Sequence, residues 1–111
     1  MPDDTPVLDT LMAMTADSVE NCSLEARELM IARIAALIAV DAPEASYLLN
    51  AGTAADVGIT LQDVEGILIA VAPIVGTPRV GAAVGNIGRA LDLAIALMEA
   101  ELEAEADAES Q

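Results

Sequence analysis

Residues 29–40 read Leu29-Met30-Ile31-Ala32-Arg33-Ile34-Ala35-Ala36-Leu37-Ile38-Ala39-Val40, twelve positions of which only Arg33 is polar. A helix built from them has no face to offer water, so it must be enclosed on all sides. Twelve residues fall well short of the ~20 apolar residues needed to cross a bilayer, so the segment is expected to be a buried helix. A second stretch, Val64 to Ala72, is apolar apart from Glu65 and Gly66 and makes the same demand.

The 111 residues around these stretches are enough for one small domain. Hydrophobic residues make up 55% of the chain, too many for a solvated disordered polymer. Domains of this size bury only about 60–65% of their unfolded surface, too little outer layer to enclose two all-apolar helices. A homo-oligomer is therefore expected.

Charge and side-chain inventory exclude several functions. Nineteen Asp and Glu face four basic residues, Arg27, Arg33, Arg79 and Arg89, for a net charge of −15. Without basic surface or stacking aromatics the chain has no means of holding nucleic acid, and an anionic membrane repels it. No histidine is present and Cys22 is the single cysteine, so zinc sites, disulfide redox pairs and other metal centres are not expected, nor is any cofactor. Cys22 has no basic neighbour in sequence to lower its pKa and reads as a packing residue. The opening residues MPDDTPVLDT carry acids where a secretory signal carries bases, which points to the cytoplasm.

Punctuation divides the chain into an all-α arrangement, an antiparallel bundle of about five helices, with no strand alternation. Ser23 is a candidate cap for a helix starting at Leu24, and Pro43 suits the first turn of another. Gly58 reads as a residue just past a helix end, Thr60 with Asp63 resembles a capping box, and Thr77-Pro78 is a cap followed by proline. The expected helices are roughly 6–20, 24–40, 43–56, 61–72 and 78–100. In the last of these, Val80, Val84, Ile87, Leu91, Ala94 and Met98 form a single apolar seam beside a row of Gly81, Gly85 and Gly88. Mid-helix glycines cost about 1 kcal/mol each relative to alanine, so three on one side suggest close approach of another backbone.

The domain is expected to span residues 1–98, followed by an acidic tail over 99–111. Six acids and no base occupy that tail, five acids lie in residues 1–23, and the middle holds eight acids against four arginines. Like charges at i,i+4 and acids at a helix C-terminus oppose helix formation, so fraying is expected beyond about residue 100. The tail reads first as a solvating segment and second as a tag for a basic partner.

Taken in order, Glu25-Ala26-Arg27-Glu28-Leu29-Met30, the apolar helix after it, Gly58-Ile59-Thr60 with Asp63 and Glu65, and Val75-Gly76-Thr77-Pro78 form a series over about residues 7–98. The series resembles the carboxymuconolactone decarboxylase and alkylhydroperoxidase D-like family. The resemblance implies an alkylhydroperoxidase D-like all-α fold assembled as homotrimers, or as homohexamers of two trimers. Counting back from Gly58, the positions of the family's Cys-x-x-Cys pair fall at Pro43 and Ser46, and that of its histidine at Asn50. A thiol peroxidase needs sulfur at the first two, so that activity is not expected. The decarboxylase branch acts on an acidic lactone through the histidine, and an amide cannot take up a proton near pH 7.

What matches is Glu28, in the family's Arg-Glu-Leu segment, a candidate catalytic carboxylic acid with a raised pKa. Its alternatives are pairing with Arg27, Arg33 or an arginine of a neighbouring subunit, or a place on the exposed first turn of the helix. Tyr47 and Asn50, three apart on one helix, are candidates to line a pocket with Glu28; Tyr47 alternatively packs with its hydroxyl at the edge. Arg33, the one charge on the apolar helix, needs either a carboxylate partner or the carboxylate of a small organic acid as substrate. Arg79 and Arg89 are candidates for pairing at an interface. Two functions remain open. One is binding or transformation of a small organic acid or lactone in an interhelical or intersubunit pocket, by acid/base chemistry of lyase or isomerase type. The other is a non-catalytic homo-oligomeric assembly or interaction protein on the same scaffold.

Overall fold

The computed structural model describes residues 4–109, and these form five α-helices with no strand among them: α1 (Pro6–Asn21), α2 (Ala26–Ala39), α3 (Glu44–Asp56), α4 (Leu61–Val75) and α5 (Thr77–Glu109). The expected all-α class and number of helices are both found. Local chemistry accounts for most boundaries. At the end of α2, Asp41 takes a left-handed conformation (φ 56), and the N–H groups of Asp41 and Ala42 donate to the carbonyls of Ile38 and Leu37. Gly58 (φ 82) does the same after α3, with Gly58 and Ile59 donating to Ala55 and Ala54. Both are Schellman closures, which satisfy carbonyls the helix leaves unpaired.

Thr60 caps α4 with the full reciprocal box. Its Oγ accepts the Asp63 N–H at 3.1 Å, and its own N–H donates to Asp63 Oδ2 at 2.8 Å. Three boundaries differ from expectation. Ser23 does not cap α2; the cap position is Glu25, without a side-chain bond, while the Leu24 N–H donates to Cys22 Sγ at 3.4 Å. α4 continues through Pro73 to Val75, because the carbonyl that Pro73 leaves without a donor belongs to Ile69, which is exposed and can use water. α5 runs on to Glu109 instead of fraying near residue 100. Glu, Ala and Leu are among the best helix formers, and in this sequence that preference outweighs repulsions of a few tenths of a kcal/mol per pair.

α3 packs most extensively on α5, and α2 on α4. The core they enclose consists of Ile34, Ile38, Ala42, Tyr47, Ile67, Ala83 and Ala90, with Ile38 fully inaccessible. On α5 the buried face is therefore Ala83 and Ala90 flanked by Val80, Ile87 and Ala94, rotated from the expected seam, and Val84 and Met98 are exposed. Alanines at the contact let α3 come close, which valine at those positions would prevent. Of the glycine row, a Cβ at Gly85 would meet the Arg89 guanidinium at 3.3 Å, whereas nothing lies within 4 Å of one at Gly81 or Gly88.

Two ion pairs tie the layers: Arg27 to Asp63 (2.8 Å) between α2 and α4, and Arg89 to Glu44 (3.0 Å) between α5 and α3. Arg79 instead donates to the Ala39 carbonyl. Each arginine set aside for interface pairing thus has a partner within the chain.

Much apolar surface remains uncovered. α1 buries no residue and exposes Val7, Leu8, Leu11, Met12, Met14 and Val19. On α2, Ala32, Ala36 and Val40 stay exposed, so the chain alone does not enclose that helix. On α5 every residue from 95 to 109 is exposed. The accessible surface is 7852 Å², about 2,100 Å² more than the ~5,700 Å² that surface scaling gives for a compact monomer of 11.3 kDa. The radius of gyration agrees: 16.4 Å, against about 13 Å for a compact chain of this length. By length and hydropathy α5 is also long and apolar enough to cross a membrane, with 11% of that window buried. The twelve-residue measure applied to Leu29–Val40 does not capture this, because Arg89 and Asp92 interrupt the apolar run of α5.

Candidate functional site

A cavity of about 200 Å³ lies where α2, α3, α4 and α5 meet. Its floor is Ile34 and Leu37 of α2, Ile87 and Leu91 of α5 form one wall, and Thr60, Leu61 and Val64 form the other. The third side is α3, which presents Tyr47, Asn50, Ala51, Ala54 and Ala55. The space exists because α3 places alanines opposite large aliphatic residues. Only Tyr47, Asn50 and Thr60 among the lining residues are polar, and none is charged.

Tyr47 and Asn50, expected on one side of a helix, do share this cavity. Tyr47 is buried, and its hydroxyl has no hydrogen-bond partner among the described residues. Burial pushes its phenol pKa above the ordinary value, and the negative charge of Asp41 adds to the shift, so the hydroxyl is held protonated. Asn50 is half-buried, and its Nδ2 donates to the Ser46 carbonyl at 2.8 Å, a turn back on α3. A protonated phenol and an amide can orient a ligand by hydrogen bonds, but neither serves as a base near neutral pH.

Arg33 and Glu28 stand apart from this pair. Arg33 is half-buried beside a second, shallow depression lined by Met14, Thr15 and Ser18 of α1 and again by Asn50. Its guanidinium donates to the Thr15 carbonyl at 3.2 Å, and no carboxylate among the described residues forms an ion pair with it. Glu28 is exposed on the first turn of α2 and lines neither depression. Among the described residues nothing buries Glu28. Arg27, one of its expected partners, is taken by Asp63.

The Asp63 carboxylate accepts four hydrogen bonds. Both terminal Arg27 nitrogens donate to it, at 2.8 and 3.2 Å, and both Thr60 donors bond Oδ2. The Arg27 bond and then the Thr60 bonds lower its pKa to about 2. This cluster fixes the start of α4, and with it Thr60 and Leu61 at the rim of the cavity. Sequence reading found the Thr60–Asp63 box but not Arg27, which lies 36 positions away. It also missed the cavity-forming alanines, whose one signal is the small-residue run at Ala51, Gly52, Ala54 and Ala55.

Among the described residues no group of three His, Cys, Asp or Glu is placed to hold a metal ion. No protein-family model, curated protein or solved structure matches this chain.

Proposed function

We propose that the chain is a subunit of a homo-oligomeric, non-catalytic assembly, built on a scaffold of the carboxymuconolactone decarboxylase and alkylhydroperoxidase D-like kind. The supporting observation is the excess surface. A standard interface removes about 800 Å² per partner, and this chain exposes about 2,100 Å² beyond a compact monomer, enough for more than one neighbour. Native mass spectrometry of the untagged protein tests the proposal. Species of three or six times 11.3 kDa are expected at micromolar concentration. A monomer at that concentration refutes it.

The cavity favours a second reading, in which the assembly also holds a small molecule. Its walls carry no cation and no base, so the ligand they suit is a compact neutral molecule with an apolar body and one hydrogen-bonding group near Asn50 or Thr60. A dry apolar cavity of roughly 150 Å³ is already large enough for benzene. An organic acid or lactone carboxylate finds a cation only at Arg33, in the neighbouring depression. Mass retained by the native oligomer and released on denaturation identifies such a ligand directly.

A further inference from the structure

α5 carries a second apolar row that, apart from Leu91 at the edge of the cavity, the chain's own interior does not use. Gly81, Val84, Gly88, Leu91, Ile95, Met98 and Leu102 follow one another at alternating spacings of three and four, the pattern of a coiled-coil seam. Over these 22 positions the seam runs about 32 Å along the helix. It lies beside the core-facing line through Ala83 and Ala90, not on it. Val84, Ile95, Met98 and Leu102 each keep at least 50% of their surface, and Leu91 is half-buried.

From these observations we infer that α5 pairs antiparallel with α5 of a second copy of the chain, about a two-fold axis beside Leu91. Three features select that occupant and orientation. The first is shape: small residues occupy the N-terminal half of the seam and large ones the C-terminal half. Antiparallel pairing sets Gly81 against Leu102, Val84 against Met98, and Gly88 against Ile95 of the second copy. Among the described residues nothing outside the adjoining turns of α5 lies within 4 Å of a Cβ at Gly81 or Gly88, so both glycines are open to receive those side chains. The second is charge. A parallel pair would lay the six acids of residues 99–109 against their own copies, whereas the antiparallel pair lays them along residues 74–84, where Arg79 is the single charge. The third is area: the uncovered surface exceeds what one interface requires.

The inference rests on the proposed assembly and adds to it, since a two-fold contact makes the number of subunits even. Light scattering coupled to size exclusion, with native mass spectrometry, reads the outcome. The wild type is expected to contain an even number of chains. Gly88→Leu replaces a poor helix former with a good one at a position with room for a side chain, so the helix is kept and the partner is excluded. Gly88→Leu and Ile95→Glu are each expected to halve the copy number with circular dichroism unchanged. Ala82→Leu, exposed on the far side of α5, is expected to leave it intact. In a Cys22→Ser background, mixed Gly88→Cys and Ile95→Cys chains are expected to cross-link to each other in preference to themselves.

An odd-numbered wild type, self-cross-linking of either cysteine variant, or variants that leave assembly unchanged would overturn the pairing while the broader assembly stands. A monomeric wild type overturns both. A wild type that floats as a monomer with phosphatidylcholine vesicles assigns the seam to lipid, and so overturns the pairing as well.

Discussion

Filling the cavity should strengthen the fold, and the size of the effect can be worked from its walls. Ala54 is half-buried on α3 and faces the space enclosed with Leu61, Val64 and Leu91. Ala54→Leu adds three carbons. At about 0.8 kcal/mol per buried methylene the transfer gain is roughly 2.4 kcal/mol. Fixing the leucine rotamer takes back about 0.5–1 kcal/mol, leaving a net gain of about 1.5 kcal/mol. For a domain of this length a gain of that size raises Tm by roughly 6–12 °C. The overpacking strain of about 1–3 kcal/mol that usually follows small-to-large changes applies only where no room exists, and here about 200 Å³ is available. Urea unfolding followed by circular dichroism at 222 nm, at one fixed protein concentration, is the assay, because tryptophan is absent. An unchanged m with a higher midpoint is expected. A lowered midpoint would refute the reasoning, because it would mean that α3 and α4 are already in contact at this level.

Two further predictions concern pH. Tyr47 is the single aromatic residue, so absorbance at 295 nm titrates it alone. Its folded pKa is raised, so the associated stability is present below the ordinary value of about 10 and lost as pH rises through the folded value. The tyrosinate signal should therefore appear above pH 10 and coincide with loss of helix; a reversible titration at the ordinary value with the helix intact contradicts the buried hydroxyl. At the acid end, Asp63 has its pKa lowered to about 2, so its contribution is present above the unfolded value of about 4 and lost as pH falls through about 2. Helicity is expected to hold down to about pH 4, then to fall between pH 4 and 2. Asp63→Asn should remove that fall, and its persistence in the variant would point to other carboxylates.

The helices were legible wherever their ends are fixed by neighbours in sequence. Gly58, the Thr60–Asp63 box and the apolar run of α2 each act within a few residues, and each was placed correctly from sequence. α5 was misread in a way that has a physical cause. The expected seam follows spacing alone and so includes Val84 and Met98, whereas the buried positions are Ala83 and Ala90, whose small size matters more than their hydropathy. The site was legible only in part. Tyr47 and Asn50 share a cavity because a spacing of three on a helix dictates it, whereas Glu28 and Arg33 depend on where α1 and α4 lie, which no local pattern records. Arg27 illustrates the same limit: its partner could have been any of nineteen acids, and the choice of Asp63 follows from the packing of α2 on α4.

A single residue, Gly76, separates α4 from α5. Its backbone, at φ 87 and ψ 162, lies in a region open essentially to glycine alone. Mechanically it is the fulcrum of a lever: α5 is about 50 Å long, so a 10° change of direction at Gly76 carries the far tip through about 9 Å. A side chain placed there would re-aim the whole outer half of α5 without altering one residue of its surface. The angle at which the acidic end of the helix leaves the body is thus set jointly by this peptide unit and by the seating of Ala83 and Ala90 in the core, and a change at Gly76 sets the two against each other.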